Sequence, residues 1–205
     1  MNELKDWTGN FNSIYRAIGA SNHTQNERQQ QDFYATEPKA AQLLLQEEAF
    51  APVIWECACG QGHLSKVFEH AGYAVRSTDI VYRGFGEIEP VDFLFFQKHS
   101  SFDGDIITNP PYKFALEFVK QALHVVKPGH KVAMFLKLTF LEGKERKQFF
   151  KDNPPKTVYV SSSRLLCAKN GDFEKMIKGG GSAVAYAWFV WLKGYQGDTV
   201  IKWIN

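Results

Sequence analysis

The sequence predicts an α/β protein with an open, mainly parallel sheet and an antiparallel C-terminal hairpin. Short apolar runs alternate with helical segments through most of the chain, and glycine or proline turns follow several of these runs. Two apolar runs separated by Gly194 and Gly197 close the chain. Alternating strands and helices are typical of a parallel sheet covered by helices, and two successive strands around a glycine turn are typical of a hairpin.

Hydrophobic spacing separates helices from strands in the first half of the chain. Leu64, Val67 and Phe68 share one face of a helix that Gly72 ends, whereas the short apolar run before Glu56 is typical of a buried strand. The predicted elements are a helix over residues 38–48, a strand over 53–55, a helix over 63–71, strands over 73–78 and 105–108, and a helix over 114–126.

The second half continues with a strongly apolar strand over residues 131–138, a helix over 141–151 and a strand over 157–161. The hairpin would consist of residues 183–192 and 199–204. With 205 residues, of which 44% are hydrophobic, the chain can bury one sizeable core. We therefore expect a single domain over residues 32–205, preceded by a polar arm over residues 1–31.

Composition excludes several classes of protein. No apolar run reaches the roughly 18 residues of a membrane span, and the polar N-terminal residues lack a signal-peptide core, so we expect a cytoplasmic protein. Three cysteines without Cys-x-x-Cys spacing favour neither a disulfide framework nor a zinc site, and we expect no metal.

Charge is distributed unevenly. The formal net charge is +2, but residues 137–178 carry ten Lys and Arg against five Asp and Glu, which leaves the rest of the chain at −3. A basic surface of this kind suits the phosphates of a nucleic acid. A solvated helix and loop surface would have the same composition.

The most informative segment is Asn109-Pro110-Pro111-Tyr112, which directly follows the strand predicted over residues 105–108. The prolines lack a backbone N–H and have a fixed φ, so they end the strand and hold the Pro110 carbonyl outward as an acceptor. The Asn109 side chain adds a second acceptor, and Tyr112 adds an aromatic face. This combination predicts a clamp for a planar amine such as that of adenine.

A glycine turn over residues 56–62 follows the first strand, and Gly60 and Gly62 would let a ligand approach the backbone closely. Asp79 ends the next strand, where a carboxylate can accept both hydroxyls of a ribose. A dinucleotide site needs glycine or alanine at the position of Ser65, so the pattern favours a ligand such as S-adenosylmethionine over a nicotinamide dinucleotide. Asp92 and Phe93 would suit an adenine amine and ring, although an ordinary helix or loop start has the same sequence.

Together these segments resemble the amino-methyltransferase family of S-adenosylmethionine-dependent enzymes, in particular the adenine-specific (N6) DNA methyltransferases found in phages and prophages. The resemblance covers about residues 32–191. Residues 33–38 are similar to the most N-terminal motif of that family, residues 56–62 to its glycine loop and residues 109–112 to its catalytic motif. The order of the motifs matches the class whose target-recognition part follows the catalytic motif.

The resemblance implies a seven-stranded, Rossmann-like methyltransferase sheet. It also implies S-adenosyl-L-methionine as cofactor, with Glu56 at its methionine end. It also implies catalysis by Asn109, Pro110, Pro111 and Tyr112. The implied cofactor contacts are Phe33, Tyr34, Thr36, Glu56, Ala58, Gly60, Gly62, Asp79, Ile80, Asp92, Phe93 and Asn109.

The expected reaction is methyl transfer to the N6 amine of adenine in DNA, with the base flipped out of the duplex. The expected partner is nucleic acid, with no membrane and no obligatory protein partner, in the cytoplasm of a bacterial or phage-infected cell. Adenine in RNA, a glutamine amide in a protein, and a non-catalytic binding module of the same fold are the alternatives.

Little sequence remains for target recognition after the sheet is complete. The loop predicted over residues 162–182 is basic and glycine-rich, which makes it the best candidate for contacting the target. For Trp188, an alternating aromatic strand is also typical of a protein core. The expected substrate contacts are Tyr112, Arg164, Lys169, Lys178 and Trp188.

Overall fold

The computed structural model describes residues 33–96, 101–179 and 181–205. The polar arm predicted over residues 1–31 lies outside the described residues. The strands are β1 (Tyr34–Thr36), β2 (Val53–Glu56), β3 (Ala74–Ser77), β4 (Asp105–Thr108), β5 (Lys131–Lys137), β6 (Thr157–Ser161), β7 (Cys167–Lys169), β8 (Tyr186–Leu192) and β9 (Val200–Ile204). The α-helices are α1 (Pro38–Glu47), α2 (Ser65–His70), α3 (Ala115–Val125), α4 (Lys144–Asp152) and α5 (Phe173–Lys178).

Seven of these strands form one sheet in the order β3-β2-β4-β5-β8-β6-β9. The strands β3, β2, β4 and β5 pair in parallel, and β9 is parallel to β6. Strand β8 runs antiparallel to both of its neighbours, β5 and β6. The predicted open, mainly parallel α/β sheet is confirmed.

The predicted C-terminal hairpin is wrong in its pairing. Strands β8 and β9 are not neighbours, because β6 lies between them and pairs with both. The physical reason lies in β8, whose residues from Tyr186 to Trp191 are all buried. A strand that is buried on both faces is stabilised by a neighbour on each side, so β8 occupies the interior of the sheet. The chain then crosses β6 before β9 pairs with its outer side.

Helices cover both faces of the sheet and bury two cores. Along β5, Met134 faces the core formed with α3 and α4, whereas Phe135 faces the core formed with α1 and α2. This alternation follows from the two-residue period of side chains along a strand. The largest fully buried side chains include Trp55, Phe68, Phe93, Tyr159, Trp188 and Trp191.

A second, smaller sheet joins two distant segments. Strands β1 and β7 pair antiparallel, with Thr36 opposite Cys167, and we call this pair the ribbon. Its residues fall partly in the segment predicted as a loop over residues 162–182, which contains β7 and the short helix α5. Three-residue strands have no readable periodicity, and their partners here are more than 100 positions apart, so sequence pattern alone does not predict them.

The carboxyl ends of β2, β3, β4 and β5 meet at one edge of the sheet, as parallel strands require. The glycine turn, Asp79, Asn109 and Lys137 follow or end these strands. Ligands of open α/β sheets bind at this edge, which makes it the expected position of a site. In the described part of the chain, no helix is long and apolar enough to cross a bilayer.

Candidate active site

The Asn109 side chain lies directly after β4 with its two ends in different environments. Its Nδ2 donates to the Tyr34 carbonyl at 3.2 Å and to Thr36 Oγ1 at 2.8 Å. Its Oδ1 is buried and has no hydrogen-bond partner among the described residues. Buried polar atoms are nearly always paired, so an unpaired acceptor in this motif indicates a place for a donor from a ligand.

The second proline after Asn109, Pro111, caps the start of a short 3₁₀ turn over Tyr112–Phe114. The Pro111 carbonyl accepts the Phe114 N–H at 2.8 Å and so closes this turn. The Pro111 carbonyl is therefore engaged within the turn. The carbonyl that directly follows Asn109 in the chain is that of Pro110. The predicted pair of acceptors, Asn109 Oδ1 and the Pro110 carbonyl, stays a prediction.

The Tyr112 ring is half-buried and held from several sides. Its hydroxyl lies 3.1 Å from Cys167 Sγ, and its ring centre lies 5.8 Å from that of Tyr186. Burial raises the pKa of the Tyr112 hydroxyl well above its ordinary value, so the hydroxyl stays neutral. The Lys137 ammonium lies 5.1 Å from the ring centre. Sequence reasoning missed Cys167, Tyr186 and Lys137, because contacts between strands distant in sequence leave no local pattern.

Two glycines of the glycine turn have a positive φ, a backbone conformation that other residues rarely adopt. Gly60 and Gly62 have φ of +55° and +76°. The Gly60 N–H donates to Asp79 Oδ2 at 2.8 Å, and Asp79 Oδ1 accepts the Val81 N–H at 3.0 Å. The structure thus brings Asp79 next to the glycine turn, as the spacing predicted.

Two aromatic rings pack against these glycines. A Cβ atom added to Gly60 would lie 1.9 Å from the Phe33 ring, and one added to Gly62 would lie 2.3 Å from the Phe85 ring. Phe33 was predicted at the site, whereas Phe85 was not. Phe85 lies in the loop between Asp79 and Asp92, which contains no helix or strand.

Glu56 faces the start of α2. Its carboxylate is 2% exposed, and Oε2 accepts both the backbone N–H of Ser65, at 2.8 Å, and the Ser65 hydroxyl. Burial raises the pKa of Glu56 to about 8, although the Ser65 hydrogen bonds act in the opposite direction. Ser65 therefore serves as partner of a buried carboxyl group. The predicted contact of Glu56 with a cofactor stays a prediction.

Asp92 and Phe93 have separate roles in the structure. Asp92 Oδ1 accepts the Leu94 N–H at 3.0 Å and begins a 3₁₀ turn. The Phe93 ring is 2% exposed and lies 5.2 Å from the rings of both Trp55 and Phe118. Phe93 is thus part of the core, and its predicted contact with the cofactor stays a prediction. Ile80, by contrast, is 59% exposed beside Asp79.

Among the predicted substrate contacts, the three basic residues are exposed. Arg164 donates to the Ala183 carbonyl at 3.1 Å, and Lys178 pairs with Glu174 at 3.6 Å on the surface of α5. Lys169 ends β7, opposite Tyr34 in the ribbon. The predicted contact from Trp188 is wrong, because its ring is fully buried and its Nε1 donates to the Ala40 carbonyl at 2.8 Å.

The fold is similar to that of solved methyltransferase structures. A predicted O-methyltransferase from Agrobacterium tumefaciens matches with a TM-score of 0.55 at 13% identity, over 80% of this chain and 85% of the other. A chain of a type I restriction-modification system matches with a TM-score of 0.55 at 16% identity, over 82% of this chain. A modification subunit of a proposed type I restriction enzyme from Vibrio vulnificus matches with a TM-score of 0.53 at 12% identity, over 84% of this chain.

This chain covers 46% of the Vibrio vulnificus subunit and 44% of the other restriction-modification chain. In sequence, the chain matches no family model and no curated protein. The structural matches confirm the predicted Rossmann-like methyltransferase fold.

Proposed function

We propose that this protein transfers a methyl group from S-adenosyl-L-methionine to the N6 amine of adenine in DNA. The observation that carries the proposal is the Asn109 side chain, whose Oδ1 is buried with no partner in the part of the chain that the structure describes, while its Nδ2 is held by the ribbon. An acceptor fixed in this way suits an N–H of an incoming amine. The neighbouring Pro110 carbonyl suits the second N–H of the same amine.

The residues at the edge of the sheet fit the cofactor. Gly60 and Gly62 would let a ligand approach the backbone beside the Phe33 and Phe85 rings, and the Asp79 carboxylate next to Gly60 would accept ribose hydroxyls. Asp92 is placed after the loop, where its carboxylate can accept the adenine amine of the cofactor. The bound cofactor would supply an electrophilic methyl group on a sulfonium ion.

Asn109 and Pro110 would act on the amine of the substrate. The lone pair of this amine is delocalised into the ring, so it is a poor nucleophile. Two acceptors, one for each N–H, hold the nitrogen in place and favour the geometry in which its lone pair is directed away from the ring plane. Positioning and fixed dipoles of this kind lower the barrier without a covalent intermediate.

DNA is supported as substrate by two independent observations. The exposed basic residues Arg164, Lys169 and Lys178 lie in the segment that follows the catalytic motif, where they can contact phosphates. Two of the structural matches are chains of type I restriction-modification systems. A duplex hides the adenine amine, so the base would have to be flipped out to reach Asn109, with the Tyr112 ring beside it.

The test is transfer of a labelled methyl group to genomic DNA, total RNA and a protein extract, followed by mass analysis of the labelled nucleosides and amino acids. We expect N6-methyladenine in DNA, and we expect Asn109→Ala to lower its formation on the order of a hundredfold or more, as for other losses of a fixed polar group at a reaction centre. Asn153→Ala, at the exposed end of α4, is the matched control and should keep wild-type activity.

Label in RNA or in a glutamine amide would replace DNA as the substrate while keeping the role of Asn109. Cofactor binding without label in any of the three pools would overturn the proposal in favour of a non-catalytic module. Equal activity of the wild type and Asn109→Ala would exclude the amine clamp.

A further inference from the structure

The Asn109 amide can lie in two orientations that differ by exchange of its oxygen and nitrogen. Only one of them presents Oδ1 to a substrate amine. In the structure, Nδ2 has three acceptors within reach, namely the Tyr34 carbonyl at 3.2 Å, Thr36 Oγ1 at 2.8 Å and Cys167 Sγ at 3.4 Å. All three belong to the ribbon.

The chemistry of these three groups favours one orientation. A backbone carbonyl can only accept, so the Tyr34 carbonyl would repel Oδ1 if the amide were reversed. The Thr36 hydroxyl and the Cys167 thiol can each accept from Nδ2. Burial raises the pKa of Cys167, so this group remains a neutral thiol, which is also within hydrogen-bonding reach of the Tyr112 and Thr36 hydroxyls.

The register of the ribbon explains how the groups converge. Thr36 and Cys167 are directly opposite each other in the antiparallel ladder, so their side chains leave the same face. Thr36 and Cys167 are 2% and 3% exposed, respectively. The Glu37 N–H donates to the Leu166 carbonyl at 3.1 Å, and Glu37 Oε1 accepts the Leu166 N–H at 2.7 Å. These bonds hold the two strands together beside Asn109.

We propose that the ribbon is an orientation lock for the catalytic amide, in which the Tyr34 carbonyl determines which end of the amide faces the ribbon and Thr36 is the positioning side chain that holds Nδ2 there. This inference rests on the proposed function and deepens it, because it assigns Thr36 to Asn109 and not to the cofactor. Strand β7 belongs to the segment expected to contact the target. Target binding and the orientation of the Asn109 amide would therefore depend on the same segment, residues 162–182.

The test compares Thr36→Val with Thr36→Ser. Valine keeps the shape of threonine but removes the acceptor, whereas serine keeps the acceptor. We expect Thr36→Val to lower kcat about tenfold to a hundredfold, as expected for loss of a buried hydrogen bond that acts on the reacting group, with the dissociation constant for S-adenosylmethionine within about twofold of wild type. Thr36→Ser should recover most of the lost kcat.

Thr199→Val is the matched control. The Thr199 hydroxyl takes part in a hydrogen bond away from the site, because it donates to the Pro155 carbonyl at 2.8 Å on the exposed side of the protein next to β9. Its loss should leave kcat unchanged. Thermal unfolding of all three variants separates a local effect on the site from a loss of folded protein.

A second measurement does not depend on activity. In protein with ¹⁵N-labelled asparagine, the Asn109 side-chain amide signals are identified by their absence in Asn109→Ala. We expect these protons to exchange slowly with solvent in the wild type and at least about tenfold faster in Thr36→Val, because one donor loses its buried partner.

The activity assay tests the proposed reaction, and the hydrogen-exchange measurement tests the orientation lock independently of it. Absence of methyl transfer in the wild type would overturn the proposed function, whereas slow exchange that Thr36→Val abolishes would still support the lock. The lock is wrong if Thr36→Val keeps wild-type kcat and slow exchange. It is also wrong if the variant loses affinity for the cofactor at unchanged kcat, because Thr36 would then be a cofactor ligand.

Discussion

At the scale of single residues, the candidate site contains buried polar side chains that have specific hydrogen-bond partners. Glu56 is the clearest example after Asn109, because its carboxyl group is 2% exposed and has Ser65 as partner, and Ser65 Oγ also lies 2.7 Å from Ser77 Oγ. The sequence identified both Glu56 and Ser65 as informative. It did not reveal that they contact each other, because that contact depends on how α2 meets the end of β2.

The raised pKa of Glu56 predicts a pH-dependent stability. The pKa is about 8 in the folded protein against an ordinary value of 4.5, so the unfolded chain loses this proton first. The stabilising effect of the neutral group is complete below about pH 4.5 and is lost as the pH rises towards 8. Glu56→Gln removes this titration. We therefore expect the free energy of unfolding of Glu56→Gln, minus that of the wild type, to increase from pH 5 to pH 8 by an amount on the order of a few kcal/mol.

Chemical denaturation at several pH values measures this difference. Glu69→Gln, an exposed change on α2, is the control and should show no such trend. A constant difference between Glu56→Gln and wild type across this range would mean that Glu56 is ionised in the folded protein.

At the scale of elements, strong local patterns predicted the structure well. Strands β4 and β6 begin and end at the predicted residues, and the helix over Ala115–Val125 differs from the prediction by one residue at each end. The ribbon could not be predicted, because its short strands are stabilised by contacts between residues 34–37 and 166–169. The partner of β8 was mispredicted for the same reason, since burial on both faces matters more than proximity in sequence.

The same distinction applies to the site. Asn109, Asp79 and Gly60 were predicted because each lies in the turn that follows a strand recognisable from the sequence. Trp188 was predicted as a contact from its residue type alone, and the structure places it in the core. Cys167 acquires its place only through pairing with Thr36, which no local pattern reveals.

The glycine turn allows a prediction about its role. Gly60→Ala would strain a φ of +55° and would also place a methyl group 1.9 Å from the Phe33 ring. Gly72→Ala is the matched control, because it has a φ of +93° with no atom within 4 Å of the added Cβ. Each change should cost about 1 kcal/mol through backbone strain. Only Gly60→Ala should also weaken binding of S-adenosylmethionine, by at least about tenfold, because the ring must move from its place.

Isothermal titration with the cofactor and thermal unfolding, run on both variants, measure the two effects separately. Equal affinity of Gly60→Ala and Gly72→Ala for the cofactor would show that the turn does not approach the ligand.

At the scale of the whole molecule, one edge of the sheet carries the residues of the proposed site. The basic segment over residues 137–178 contains two separate sets of basic side chains. One set, Arg164, Lys169 and Lys178, lies in the segment around the ribbon. The other, Lys144, Lys147 and Lys151, lies exposed on α4. The sets carry equal charge, so they can be compared directly.

We expect the two sets to differ in their effect on DNA binding. Changing the first set to Gln should reduce the slope of log affinity against log salt by up to about 0.9 for each phosphate that the protein no longer neutralises. Changing the α4 set in the same way should leave the slope near its wild-type value. Fluorescence anisotropy with a duplex at several salt concentrations measures both slopes. Equal slopes for the two triple variants would show that the segment around the ribbon does not guide the nucleic acid.

The ribbon has a consequence for the folding of the protein. Its two strands are joined by contacts between Tyr34 and Lys169, so the loop that they close contains most of the central sheet. Such long-range pairings form late, after local structure has reduced the distance that the chain must span. The orientation of Asn109 would then be one of the last properties that the protein acquires. A chain whose central sheet had formed but whose ribbon had not would bind the cofactor without a fixed orientation of the Asn109 amide. Methyl transfer would therefore be a sensitive indicator of complete folding.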